Sequence, residues 1–117
     1  MSDEPLEIEG AEPEEQPDVG DARYVRKQHK RARIHQKRLD NALGALLDTY
    51  DTRAWLWELL CAFGIYQSSF STEPLRMAFL EGKRDCGLRL LADINRIAPA
   101  SYVLMAEEAE KRIKENV

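Results

Sequence analysis

The amino-acid sequence predicts an all-α protein: a small bundle of about four helices, with a long, projecting, basic N-terminal helix and a disordered acidic tail. Three observations predict it. Apolar residues recur at steps of three and four through most of residues 39–117, the spacing of one helix face. No stretch alternates apolar and polar side chains as a half-buried strand would, and there is no internal repeat or glycine-rich loop. Charge is segregated along the chain, although the net charge is only −4. At 117 residues and 44% hydrophobic, the chain supports one small domain, whose modest core leaves room for a partner or an oligomer to add burial.

Residues 1–22 hold nine acidic groups (Asp3, Glu4, Glu7, Glu9, Glu12, Glu14, Glu15, Asp18 and Asp21) and no lysine or arginine, with three prolines and two glycines between them. This composition cannot bury enough apolar surface to offset the entropy of ordering, so a disordered tail is expected. It either keeps the chain in solution, binds a partner's basic groove, or folds back on the segment that follows.

That segment is abruptly basic. Residues 23–38 contain Arg23, Arg26, Lys27, Lys30, Arg31, Arg33, Lys37 and Arg38 and no acidic residue. Helix propensity is good, but Arg23/Lys27, Lys27/Arg31 and Arg33/Lys37 are like-charged pairs one turn apart. The arm is therefore expected to be only partly helical until it meets an anion. An amphipathic pattern continues it through Leu39, Leu43, Leu46, Leu47 and Tyr50, which predicts one helix from about Ala22 to Leu47. Such a helix would be roughly 39 Å long at about 1.5 Å per residue.

Within the core domain, residues 39–117, Asp48–Thr52 supplies a break, with Asp51 or Thr52 as the next cap. A second helix over Arg53–Phe63 carries Trp55, Leu56, Leu59, Leu60 and Phe63 on one broad face, and Gly64 suits its C-terminal stop. Trp57 lies off that stripe, and a wide apolar face accounts for it better than an exposed interaction residue.

The central helix starts at Pro74, with Ser71 or Thr72 as cap. Its expected packing face is Leu75, Phe79, Gly82, Cys86, Leu90, Ile94 and Ile97. A helical glycine costs about 1 kcal/mol against alanine, so Gly82 and Gly87 imply close approach of another backbone. The helix ends near Ala98. Pro99 then opens a last helix with Tyr102, Val103, Met105, Ala106, Ala109 and Ile113 as its apolar positions. Trp55, Trp57, Phe70, Phe79, Gly82, Cys86 and Gly87 are the expected packing and assembly residues.

No catalytic constellation emerges, and neither an enzyme activity, a metal nor a cofactor is expected. Ser68, Ser69 and Ser71 precede a helix and read as caps and turn formers, with no histidine after His35 to serve as their base. Glu81, Asp85 and Asp93 lack the Glu-x-x-His elements of a di-iron bundle. Cys61 and Cys86 read as small buried hydrophobes, and His29 and His35 as surface residues of the basic arm. Glu81, Lys83, Arg84 and Arg89 either satisfy one another and water or form a charged patch that docks on a larger assembly. The arm can contact phosphates in a salt-dependent way, or equally an acidic protein surface. It lacks the aromatic interleaving of a base-reading surface. No membrane insertion is evident, because no apolar run approaches the roughly 20 residues of a spanning helix. Residues 1–20 also lack a signal-peptide layout.

Several stretches carry a family resemblance. They are Leu59-Leu60-Cys61 followed by Gly64, Tyr66-Gln67-Ser68-Ser69-Phe70, Ala78-Phe79, Glu81-Gly82-Lys83-Arg84, and Gly87-Leu88 with Leu90-Leu91-Ala92. In their combined spacing the chain resembles, over about residues 52–110, a small tailed-bacteriophage (podophage) protein family named from a Bordetella phage. The resemblance implies a gene found among head and tail structural genes. It further implies a virion protein of the portal, tail or internal core region, made in the host cytoplasm, present as a ring of copies, and in one version ejected with the genome. The expected partners are other phage structural proteins, the protein itself, and packaged DNA. Two alternatives stand beside it: a non-virion nucleic-acid-binding or regulatory protein that uses the arm as a phosphate clamp, and an assembly factor lost from mature particles.

Overall fold

The structure is a computed structural model that describes residues 21–116. The expected acidic tail therefore lies outside the described residues, except for Asp21 and Ala22. Four helices follow in order: α1 (Ala22–Leu46), α2 (Tyr50–Ala62), α3 (Pro74–Ile97) and α4 (Pro99–Glu115). No strand occurs among the described residues, so the class is all-α. The chain divides after Arg38 into two compact units, residues 1–38 and 39–117.

In the first unit, α1 is helical from its first turn, contrary to the partly helical arm expected from its like-charged pairs. Asp21 explains part of this: its Oδ1 accepts the backbone N–H groups of Arg23 (3.0 Å) and Tyr24 (3.3 Å). A cap of this kind contributes on the order of 1 kcal/mol, more than each repulsion of a few tenths removes.

The second unit packs α2, α3 and α4 against one another, and the end of α1 adds Leu43 and Leu47. Its core is Leu47, Leu56, Leu60, Ile65, Ile94 and Met105, and Leu60 and Ile94 are fully buried. Two caps differ from expectation. Helix α2 starts three residues early because Thr49, not Asp51 or Thr52, is its cap, its hydroxyl accepting from the Thr52 N–H at 3.4 Å. The Thr52 hydroxyl donates back to the Leu46 carbonyl and so ties off the end of α1. Helix α3 is capped by Glu73 in place of Ser71 or Thr72, its Oε1 accepting from the Arg76 N–H at 2.7 Å.

Two glycines have defined jobs. Gly64 ends α2 with φ +77°, a conformation that a side chain would strain. Gly87 is the site of close approach: a Cβ there would lie 2.5 Å from Ile65 Cγ2 and 2.6 Å from Phe63 Cβ. The connection after α2 thus lies directly on α3. At Gly82, in contrast, a Cβ would meet nothing within 4 Å, and Cys86 is exposed, so the expected packing centre around this pair is absent within one chain.

An ion pair unforeseen from the sequence closes the bundle. Arg53 on α2 grips Glu108 on α4 with two hydrogen bonds, Nε to Oε1 at 3.0 Å and Nη2 to Oε2 at 2.7 Å. Its Nη1 also donates to the Leu47 carbonyl at 3.1 Å. Both side chains are largely covered, at 12% and 14% exposure. The guanidinium holds the Glu108 carboxyl below its ordinary value of 4.5. At the other end of the bundle Arg96 takes Asp40 in a fork, at 3.0 and 3.1 Å, and reaches Asp93 at 3.2 Å.

Candidate partner-binding surfaces

Helix α3 presents two environments. From Gly87 onward it is packed: Gly87 and Ile94 are buried, and Leu90 and Leu91 are half-buried. Before Gly87 two of its large apolar residues face outward, Leu75 80% and Phe79 65% exposed, and Phe70 in the preceding loop is 73% exposed, while Leu80 is half-buried. The packing face expected through Leu75, Phe79, Gly82 and Cys86 is therefore displaced. The inward line runs instead through Leu80, Lys83, Arg84, Gly87, Leu91 and Ile94. The reason is steric. The Phe63–Ile65 connection crosses α3 at Gly87, where a side chain would collide with it, and so turns that side of the helix inward.

Of the two tryptophans, Trp57 packs as the wide apolar face predicted, and Trp55 does not. Trp57, placed off the stripe from sequence, is half-buried against the core, with its ring centroid 5.6 Å from Tyr66 and 5.9 Å from Tyr102. Trp55, placed on the stripe, is 57% exposed. Val103 and Ile113, expected as apolar positions of α4, are exposed as well, and its inward residues are Met105 and Ala109. Cys61 and Cys86 are both exposed rather than buried. Partial desolvation, and then nearby Glu58, push the Cys61 thiol up, away from a reactive thiolate.

The serines form turns, as their position suggested. Ser68 Oγ accepts from the Phe70 N–H at 3.1 Å, Ser71 Oγ accepts from the Glu73 N–H at 3.2 Å, and Ser69 Oγ donates to Glu81. Gln67, Ser68 and Ser69 face Leu80, Lys83 and Arg84 of α3 across a cavity of about 20 Å³. A wider, open groove of about 350 Å³ lies between α2 and α4, lined by Trp57, Cys61, Ala109, Arg112 and Ile113 among others. Among the described residues, no group of three or more His, Cys, Asp and Glu side chains is placed to hold a metal ion. None of their helices is long and apolar enough to cross a membrane.

The arm forms a separate surface. Arg23, Arg26, Lys27, Lys30, Arg31, Arg33, Lys37 and Arg38 are all exposed. At about 100° per residue they fall within an arc of about 160°, less than half the helix circumference. Val25, Gln28, Ala32, His35 and Gln36 occupy the opposite, uncharged side. Composition revealed the charge, but the one-sidedness emerges only when the residues are placed around the helix axis.

These features define a small all-α protein that carries a one-sided basic helix and exposed apolar residues on α3 and its entry loop. Residues 44–107, more than half of the chain, match the family of Bbp19-like phage proteins, and the chain belongs to that family. The match begins eight residues before the stretch that carried the resemblance and so includes the end of α1. No curated protein and no solved structure matches the chain.

Proposed function

We propose that this phage protein is a small virion component that acts by protein–protein assembly in the portal, tail or internal core region. The observation that carries the reading is the uncovered face of Phe70, Leu75 and Phe79. Three large apolar side chains held outward on a rigid helix and its entry loop are a liability for a monomer and an asset at an interface. Repetition around a symmetric ring would cover that face in every copy. Neither the residues nor the family match calls for a catalytic step. Quantitative mass spectrometry of purified particles, before and after genome release, tests the reading. A fixed copy number in full particles is expected, and selective loss on release would mark an ejected form. Absence from particles would overturn it.

The one-sided arm supports a second reading, a phosphate clamp on nucleic acid. Affinity for a polyanion then falls with salt in proportion to the phosphates neutralised. Replacing Arg26, Lys30, Arg33 and Lys37 by glutamine should reduce the slope of log affinity against log salt by about 3 to 4 on duplex DNA. An unchanged slope would remove the arm from nucleic-acid binding.

A further inference from the structure

We infer that the cleft between Gln67–Ser69 and Lys83–Arg84 is a carboxylate-binding subsite, and that it anchors an acidic, aliphatic segment of a neighbouring protein. The inference rests on the assembly reading above and deepens it by naming the chemistry of the partner.

Arg84 is the centre of the subsite. It lies on the half-buried side of α3, yet among the described residues its guanidinium has no hydrogen-bond or ion-pair partner. The contrast within the same fold is sharp, because Arg53 and Arg96 each hold a carboxylate in a two-pronged grip. Lys83, next to it, has only the Phe79 ring beneath its ammonium, at 5.6 Å. The neighbouring carboxylate, Glu81, accepts from the Ser69 hydroxyl through one oxygen and forms no ion pair with Arg84 or Lys83. Ser68 uses its oxygen to accept from the Phe70 N–H, which leaves its own proton to give. Arg84, Lys83 and Ser68 thus line one small cavity, and the guanidinium and the Ser68 proton are not committed to another group of the described chain.

Size and surroundings select the ligand. A volume of about 20 Å³ admits one or two water-sized atoms, enough for the oxygens of a carboxylate in the planar fork of an arginine. The cleft lies in the same loop and helix as exposed Phe70 and Phe79, which suit aliphatic side chains and offer nothing to a sugar–phosphate backbone. A protein segment with a glutamate or aspartate beside leucine or isoleucine has the matching chemistry.

The test is an NMR titration of the full-length chain with the peptide acetyl-Leu-Glu-Ile-Glu-amide, following the Arg84 side-chain Nε signal and the Ser68 and Ser69 amides. Saturable shifts at these groups are expected, absent with the Gln-for-Glu peptide. Arg84→Gln should weaken binding at least tenfold, and Arg89→Gln, on an exposed part of the same helix, should leave it unchanged. Should Arg84→Gln fail to fold, Lys83→Gln must show a weakening of at least threefold. Shifts confined to residues 23–38, an equal response to inorganic phosphate, or no shift at all would each overturn the subsite. Failure here would leave the particle-composition result standing, so the two ideas fail separately.

Discussion

The two halves of α3 are one continuous helix of similar apolar content, and they lead opposite lives. The second half, from Gly87 to Ile97, is packed under the α2–α3 connection and against α2 and α4. The first half, from Pro74 to Cys86, holds Leu75 and Phe79 outward. The difference teaches that apolar spacing states which residues can share a face, while covering that face depends on what else the chain can bring to it. The one longer connection, residues 63–73, is spent at Gly87, and nothing else in the described chain covers Leu75 and Phe79.

The comparison breaks most visibly at Ile94 and Phe79. Ile94→Ala empties a fully buried site and should cost about 3–4 kcal/mol in urea unfolding, a large share of the stability of so small a domain. Phe79→Ala, the larger truncation, should cost under about 0.5 kcal/mol in the isolated chain, as for most surface changes. A comparable loss at both sites would mean that the first half of α3 is covered in solution. The glycines sharpen the same contrast with opposite signs. Gly87→Ala must push Phe63 and Ile65 aside and should destabilise by about 2 kcal/mol. Gly82→Ala, with open space around it, should stabilise by about 1 kcal/mol through helix propensity alone.

A smaller effect concerns the packed side of the molecule. Glu108 titrates below its ordinary value in the folded chain, so its contribution is present above about pH 4.5 and is lost as pH falls through the lowered value. Glu108→Gln should cost about 1–2 kcal/mol at neutral pH, less than for a fully dry pair because both partners keep some exposure. Its stability should also fall less steeply than the parent's between pH 5 and 3, the window set by the direction of that shift. Parallel curves would show that the pair contributes little.

The helices themselves were legible because their punctuation is local. Pro74 and Pro99 open helices, Gly64 closes one, and the period of the apolar residues does the rest. Phase was less legible. Leu75, Phe79, Gly82 and Cys86 make a cleaner apolar line than Leu80, Lys83, Arg84 and Gly87, and nothing in the local pattern reveals that a loop will cross at Gly87. Lys83 and Arg84 look like solvent residues, yet their long stems can lie along the bundle while the heads reach polar ground. The exposure of Trp55 was equally hidden, since the inward direction of α2 is set by Trp57 meeting Tyr66 and Tyr102, which arrive from elsewhere in the chain. The Arg53–Glu108 grip joins residues 55 apart in sequence and has no local signature at all. For the candidate surfaces, the cations of the arm were plain from composition. The cleft at Arg84 was not, because it exists only once the serine-rich loop lies beside α3.

Gly87 has one more consequence. A contact that tolerates no side chain acts as a keyway: sliding α3 by one turn would drive Lys83 or Leu91 into Phe63 and Ile65, so the helix has a single axial setting. Everything mounted on α3 inherits that setting. Phe79, held outward, and Arg84, at the edge of the packed side, are therefore indexed to the bundle as teeth are to a shaft, which is what a part must offer if many identical copies are to mesh.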